Sequence, residues 1–276
     1  MTVPAASTTV ALDPRRNVPG TRPGFGSTLR AEWIKFSTVR STMWSVVMLF
    51  VLGTGMTALI CAANAEWLAS SEADEHPGSF LTFGMTFAQI TAIVLGTLAV
   101  TSEYGTGMIR ATLAATPRRG SVLVAKALVL TGTLLVAGTV TAFAGYFAGN
   151  WFLDREGVGL ALSDDGVLRA MFGSGLYMAG LGLFAAAVGL LVRHTAAALS
   201  IVLALVFVLG NMAFLLPGEW GEWVAKLMPG NAGSVVATPV SFNPEALAPW
   251  TGFAAFAAEA LILLTIGWLV FQRRDA

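Results

Sequence analysis

Long apolar runs separated by short polar stretches make up most of the chain. One helical crossing of a bilayer core takes about 20 predominantly apolar residues, and six runs reach that length. They are Thr42–Ala63, Phe80–Thr101, Val122–Phe152, Ala170–Val192, Thr195–Leu216 and Trp250–Phe271. The pattern predicts an all-α integral membrane protein with six transmembrane helices. The third run is too long for one upright crossing, so we expect it to tilt or to project beyond the membrane.

The composition agrees with this fold class and divides the chain into two parts. Apolar residues make up 55% of the chain and charged residues 12%, whereas a soluble domain carries roughly 25% charged residues. Residues 1–26 contain four prolines, three glycines and a Ser/Thr tract, and such a stretch buries too little apolar surface to fold. We therefore expect a disordered cytoplasmic tail at 1–26 and a six-span membrane domain at 27–276.

Lysine and arginine fall almost entirely on one side of the predicted spans. Residues 1–41, the loop at 102–121 with Lys126, the turn at 193–194 and the C-terminal end carry 13 basic and four acidic residues. The loops around 64–79, 153–169 and 217–249 carry three basic and eleven acidic residues. By the positive-inside rule, we expect a multi-pass protein of the plasma (inner) membrane with both termini in the cytoplasm.

The segment at 27–41 is predicted to form a helix that lies along the lipid head groups before the first span. Leu29, Trp33 and Phe36 share one helical face, whereas Glu32 and Lys35 lie away from it. An interfacial helix has this kind of two-sided pattern. The alternative is an ordinary cytoplasmic lead-in to the first span.

The polar, basic stretch Ser102–Lys126 lies between the second and third apolar runs. Ile109 and Leu113 share one helical face, and Pro117 ends the helix because the residue before a proline disfavours the α region. The stretch carries the positive charges Arg110, Arg118, Arg119 and Lys126 against one negative charge, Glu103. These features predict a short cytoplasmic helix that is available to another protein. The alternative is a positive-inside topology anchor without a partner.

The loop at 217–249 carries a helical pattern of its own. Trp220 and Trp223 with charged neighbours indicate a short amphipathic helix at the outer face, which Pro229 and Gly230 separate from a second, small-residue piece. Two helices that dip into the outer leaflet are predicted, with a surface flap as the alternative. Arg169, at the outer end of the fourth run, is expected to extend towards the head groups.

Glu259 stands near the middle of the sixth apolar run. A charge at that depth costs about 2.5–3.5 kcal/mol, so the side chain is expected to face protein or water, or to be protonated. A functional role would have it bond a substrate or a neighbouring helix. A structural role would have it pair with Asn211 of the fifth span or Gln89 of the second.

The chain lacks the sequence motifs of common enzymes. It contains no G-x-x-x-x-G-K-[ST] phosphate loop, no H-E-x-x-H and no G-x-S-x-G. The acidic loop around His76 is interpreted as a solvated loop rather than a metal site. We therefore expect no enzyme activity, no metal or cofactor in this chain, and no nucleic-acid partner.

Several motifs, in order, resemble the type-2 permease family of ATP-binding cassette (ABC) exporters, the membrane subunits that work with a separate ATPase. The loop motif comprises Glu103-Tyr104, Gly105-Thr-Gly107, Ile109-Arg110, Leu113, Pro117-Arg118-Arg119 and Lys126. Leu29-Arg30-Ala-Glu32-Trp33-x-Lys35 is similar to the N-terminal connecting helix of the family, Arg193-His-Thr195-Ala to its inner turn, and Pro229-Gly-Asn-Ala-Gly to its outer segment. The likeness covers residues 28–272.

The resemblance implies a six-span half-transporter that pairs with a second permease copy or paralogue. The loop at 102–120, between spans two and three, would be the coupling helix, docked on an ABC ATP-binding subunit that holds ATP and Mg²⁺. Residues from Glu103 to Arg119 would form that contact, with Ile109 and Leu113 as its apolar part, and the connecting helix would assist. ATP-driven closure of the ATPase would then open a pathway between the two permease copies.

Two other classes of function stay open at this point. A proton-coupled secondary carrier would use Glu259 as its titrating group, although such carriers often contain internal inverted repeats and none is evident in the sequence. A membrane-anchored interaction or sensor protein would bind a partner without moving cargo.

Overall fold

A computed structural model describes residues 24–108, 119–216 and 218–273, and within these ranges every regular element is helical. The helices are α1 Phe25–Thr38, α2 Arg40–Ala69, α3 Met85–Gly105, α4 Arg119–Arg155, α5 Val167–Val192, α6 Thr195–Leu203, α7 Glu219–Leu227, α8 Pro229–Ser234 and α9 Pro249–Arg273. A π-helical segment, Ala204–Leu209, continues α6, and shorter helical turns extend it to Leu215. The predicted tail lies mostly outside the described residues, and α1 begins within its last two positions, at Phe25.

Six helices in the described part of the chain are long and apolar enough to cross a membrane, which confirms the predicted number and order of spans. They cover Arg40–Ala69, Met85–Gly105, Gly120–Arg155, Val167–Val192, Thr195–Met212 and Pro249–Gln272. The third span has 36 residues and is therefore about 54 Å long at 1.5 Å per residue. It exceeds the roughly 30 Å of a hydrocarbon core, in agreement with the sequence prediction.

Helix α5 is the centre of the bundle. Of its most apolar stretch, 72% is buried within the chain, more than for any other described span, because α4, α3 and α9 all pack on it. Glycines permit this close packing: a Cβ atom at Gly96 of α3 would collide with the backbone of Gly182 in α5. Small residues at such crossings let helix backbones approach each other in a membrane.

The segment at 218–248 folds back onto the bundle at the end where α3 and α9 begin. It contains α7, α8 and the short 3₁₀ turn Val235–Ala237, so the two predicted helices are confirmed. Proline at the first position of α8 suits a helix start, where no backbone N–H is needed. Trp220 and Trp223 are 82% and 55% exposed, which leaves an aromatic face of α7 uncovered by the rest of the chain.

Arg169 holds this segment in place. Its guanidinium donates hydrogen bonds to the carbonyl oxygens of Val235, Val236 and Pro239 at 3.2, 3.3 and 3.0 Å. The structure thus gives Arg169 a role that the sequence did not predict, because the backbone carbonyls that follow α8 lie within its reach. The segment is attached to α5 rather than being a free flap.

Candidate functional site

Four charged side chains from three helices meet at the end of the bundle that carries α1. They are Glu32 and Lys35 of α1, Glu103 of α3 and Lys126 of α4, and we call them the ion cluster. Lys35 Nζ lies 2.9 Å from Glu32 Oε1 and 2.8 Å from Glu103 Oε1. Lys126 Nζ lies 2.8 Å from Glu32 Oε2 and 2.7 Å from Glu103 Oε1. Each base contacts both acids, so the cluster is a closed ring of alternating charges with no net charge.

The ring forms because α1 turns its polar face towards the bundle. Glu32 and Lys35 are three residues apart and therefore neighbours on the helix surface. Thr28 and Glu32 are buried, whereas Trp33 and Ile34 are about half exposed. The helical pattern correctly placed Glu32 and Lys35 on a different face of α1 from Trp33. It did not predict that the polar face packs against the bundle.

Burial makes the four charges depend on one another. The side chains of Glu32 and Glu103 are only 6% and 5% exposed, and that of Lys126 is 13% exposed. Charges removed from water in this way need partners, and loss of one partner leaves an uncompensated charge that costs about 3–5 kcal/mol. The ion cluster therefore fixes the relative positions of α1, α3 and α4.

Lys35 is the most exposed member of the ion cluster, at 31%. Burial by itself lowers the pKa of Lys35, but the hydrogen bonds and negative charges of Glu103 and Glu32 outweigh this effect and raise the pKa above its ordinary value of 10.5. Lys35 is therefore positively charged at neutral pH.

Two members of the ion cluster lie next to the loop that the sequence singled out. Glu103 belongs to the last turn of α3, and Lys126 lies in the third turn of α4. The predicted contact residues Ile109, Arg110, Leu113, Pro117 and Arg118, and the side chain of Arg119, lie outside the described residues. The segment at 106–118 thus connects two helix ends that the ion cluster joins.

Three predicted contact residues are in the helix rather than in the loop. Glu103, Tyr104 and Gly105 continue α3, and the chain leaves that helix at Gly107, whose φ of +69° suits glycine. Glu103 is 4% exposed and bonded to both lysines. The carboxylate of Glu103 is therefore enclosed by α1 and α4, and its contact with a partner stays a prediction.

The turn between α5 and α6 is also attached to the end of α3. Arg193 ends α5 in the left-handed conformation, with φ +56°. Its guanidinium carbon lies 5.0 Å from the centre of the Tyr104 ring, a cation–π distance. The Thr195 hydroxyl donates to Thr101 Oγ1 at 2.9 Å. This turn therefore touches α3 within a few residues of Glu103.

Glu259 does not pair with either of the other two intramembrane polar residues, Gln89 and Asn211. Tyr177 donates its hydroxyl hydrogen to Gln89 Oε1 at 2.7 Å, and Asn211 donates to the carbonyl of Phe207 at 2.8 Å. Glu259 Oε2 is buried and accepts no hydrogen bond within the described residues. The predicted pairing of Glu259 with Asn211 or Gln89 is therefore wrong, since α5 satisfies Gln89 and Asn211 bonds to its own helix.

Comparisons with known proteins do not place this chain in a family. No protein-family model matches the sequence, and no curated protein matches it. Function must therefore be inferred from the geometry and from the sequence motifs.

Proposed function

We propose that this chain is the permease subunit of an ABC exporter, driven by a separate ATPase that docks on the loop at 106–118. The observation that supports the proposal best is the ion cluster. It joins α1 and the two helix ends flanking that loop, and these are the elements at which the sequence resemblance expects the ATPase contact. Force applied to such a loop moves the spans as a unit only if the helix ends on either side of the loop are held together.

The ion cluster gives such a loop a defined mechanical effect. When a partner pushes the loop, the ends of α3 and α4 are displaced, and the 2.7 Å bond between Lys126 and Glu103 makes them move together. Glu32 and Lys35 add α1 to the moving unit. Because α4 is a continuous helix of 37 residues, a tilt at this end is transmitted to the opposite end.

The assembly that follows from this proposal has two permease copies and two ATP-binding subunits. The loop and both termini face the cytoplasm, the spans lie in the plasma membrane, and cargo passes between the permease copies. ATP and Mg²⁺ are held by the ATPase. The present chain supplies the docking loop, the ion cluster and one wall of the pathway.

Purification of the tagged chain from its native membrane tests this proposal. We expect a P-loop ATPase to co-purify and to hydrolyse ATP. Leu113→Asp places a charge on the predicted apolar face of the loop and should abolish co-purification. Glu72→Gln, an exposed change at the opposite end of the bundle, should preserve it. Absence of an ATPase from the wild-type preparation, or its retention by Leu113→Asp, would contradict the proposal.

A second candidate is a proton-coupled carrier, and one observation favours it. The unbonded carboxylate oxygen of Glu259, buried in the sixth span, is a group whose charge is costly unless it binds a proton or a partner. Such a carrier would work in ATP-free vesicles under a proton gradient and stop on Glu259→Gln. An ATP requirement, with Glu259→Gln active, would favour the exporter.

A further inference from the structure

Two polar cavities adjoin at the end of the bundle opposite the ion cluster. The outer cavity has a volume of about 590 Å³ and the inner cavity a volume of about 180 Å³. Asn211, Asn231 and Ser234 line both, so the two cavities are adjacent. The outer part alone has the size of a typical small-molecule site, about 300–1,000 Å³.

The inner cavity lies within the spans rather than in a surface loop. Gln89 is four residues from the start of α3 and Tyr177 is ten residues from the start of α5, or about 6 and 15 Å along these helices. Polar side chains at such depth in a membrane protein face the protein interior or a water-filled cavity and mark ligand pathways. The bonded pair of Gln89 and Tyr177 forms part of the cavity wall.

The backbone around the cavity is irregular in a way that points to the same site. Val206 and Phe207, which line it, belong to the π-helical segment, and such segments occur frequently at functional sites. A Cβ atom at Gly230 of α8 would lie only 2.5 Å from the Val206 carbonyl oxygen, so α8 sits directly against this segment. Broken helices at membrane depth are tolerated where they line a cavity and often form binding sites.

The chemistry of the lining selects the class of ligand. Among the described residues, the inner cavity presents hydroxyl and carboxamide groups and no charged side chain. The charges lie at the outer cavity, where Lys226 Nζ is 3.9 Å from Glu222 and 3.8 Å from Glu245. A charged ligand would meet no side chain of opposite charge in the inner cavity. An apolar ligand would leave the carboxamide groups without hydrogen-bond partners, which costs free energy. A neutral ligand with many hydroxyl groups can both donate to and accept from this lining.

We propose that the two adjacent cavities bind a neutral, polyhydroxylated ligand, either a free sugar or the sugar head group of a lipid. Gln89, Tyr177 and Asn211 recognise its hydroxyl groups. The Tyr177 bond fixes the orientation of the Gln89 amide, and Asn211 stands where the two cavities meet. Gln89 and Glu103 are fourteen residues apart on α3, about 21 Å, so binding here does not require the proposed ATPase coupling.

The test uses the full chain without any ATPase, in phosphatidylcholine nanodiscs. Purification must avoid maltoside detergents, because their head groups are themselves neutral polyols. Calorimetric titration with maltose probes a free sugar, and native mass spectrometry of nanodiscs containing diglucosyl diacylglycerol probes a lipid head group. We expect saturable binding of at least one of these probes and no binding of glucose 6-phosphate.

Matched variants connect binding to the cavity. Gln89→Leu and Asn211→Leu should weaken binding at least tenfold, and Thr86→Val, which removes one lining hydroxyl at constant volume, should weaken it with little effect on folding. Asn64→Leu is the control, because Asn64 donates to the Ile60 carbonyl at 2.8 Å as Asn211 does to Phe207, but on α2 and away from the cavity. The proposal is overturned if neither probe binds the folded chain, if glucose 6-phosphate binds equally well, or if Thr86→Val matches Asn64→Leu.

Discussion

Lys126 Nζ and Glu103 Oε1 are 2.7 Å apart and join the second span to the third. The two residues flank the loop to which we assign the ATPase contact, and Glu32 and Lys35 extend the same bonds to α1. The connection is internal to one chain, so its properties can be measured before any partner is identified.

Removal of one member of the ion cluster should destabilise the chain more than removal of a pair. Glu103→Ala leaves the two lysines with a single acid, and we expect a loss of about 3–5 kcal/mol in the free energy of unfolding. Adding Lys126→Met should recover part of that loss. Unfolding in mixed micelles with increasing SDS measures both values. Glu66→Gln, an exposed change at the far end of α2, is the control and should have little effect. Strictly additive losses of stability in the Glu103→Ala, Lys126→Met double variant would contradict the ring.

Charge reversal tests whether the four residues form a ring rather than two separate pairs. Exchange of Glu103 and Lys126 alone places the new lysine next to Lys35 and the new glutamate next to Glu32. We therefore expect this double exchange to remain unstable. Reversal of all four residues restores alternation and should recover stability in the same unfolding measurement. Full rescue by the double exchange would show that Lys126 and Glu103 pair independently of α1.

The pH dependence of stability should follow Lys35. Its pKa is higher in the folded chain than the ordinary 10.5, so folding favours the charged form. Its contribution is then fully present below 10.5 and is lost as the pH rises through the folded-state pKa. The stability difference between wild type and Lys35→Met should be constant near neutral pH and shrink under alkaline conditions. A difference that grows with alkaline pH would contradict this assignment.

How far the sequence alone could predict this fold depends on the range of each interaction. The length of an apolar run is a local property of the sequence, so six spans in the right order were predictable. Trp220, Trp223 and Pro229 are local signals of the same kind and indicated α7 and α8. The ion cluster joins residues 68 and 94 positions apart, and no local pattern says which span ends adjoin. For the same reason, Gln89 and Asn211 were predicted as partners of Glu259, although both bond to other groups. The π-helical segment had no recognisable signal in the sequence.

Arg169 should control the order of the segment at 229–240. Arg169→Met removes three hydrogen bonds to the carbonyls of Val235, Val236 and Pro239, so the amides of this segment should exchange hydrogen at least tenfold faster. Arg155→Met is the matched control, because Arg155 stacks on Trp151 at 4.2 Å near the same end of the bundle. Equal exchange rates in both variants would mean that Arg169 does not hold the segment.

The crossing of α3 and α5 should tolerate no side chain at Gly96. Gly96→Ala drives a Cβ atom into the Gly182 backbone, and overpacking of this kind costs about 1–3 kcal/mol. Gly132→Ala on α4 meets no atom within 4 Å and should be neutral or stabilising by up to about 1 kcal/mol. The SDS unfolding assay compares the two, and equal effects would contradict the tight crossing.

The most direct test of the central claim is an ATP-dependent distance measured by electron paramagnetic resonance. Spin labels at Glu66→Cys in a Cys61→Ala background report the separation of two permease copies at the end opposite the loop, in the complex with the co-purified ATPase. We predict that ATP with Mg²⁺ changes this distance, and that the charge-neutral pair Glu103→Gln with Lys126→Gln abolishes the change while the bound ATPase still hydrolyses ATP. Glu72→Gln should leave the change intact. An unaltered ATP-dependent distance in the Glu103/Lys126 variant, or no change in wild type, would contradict the account.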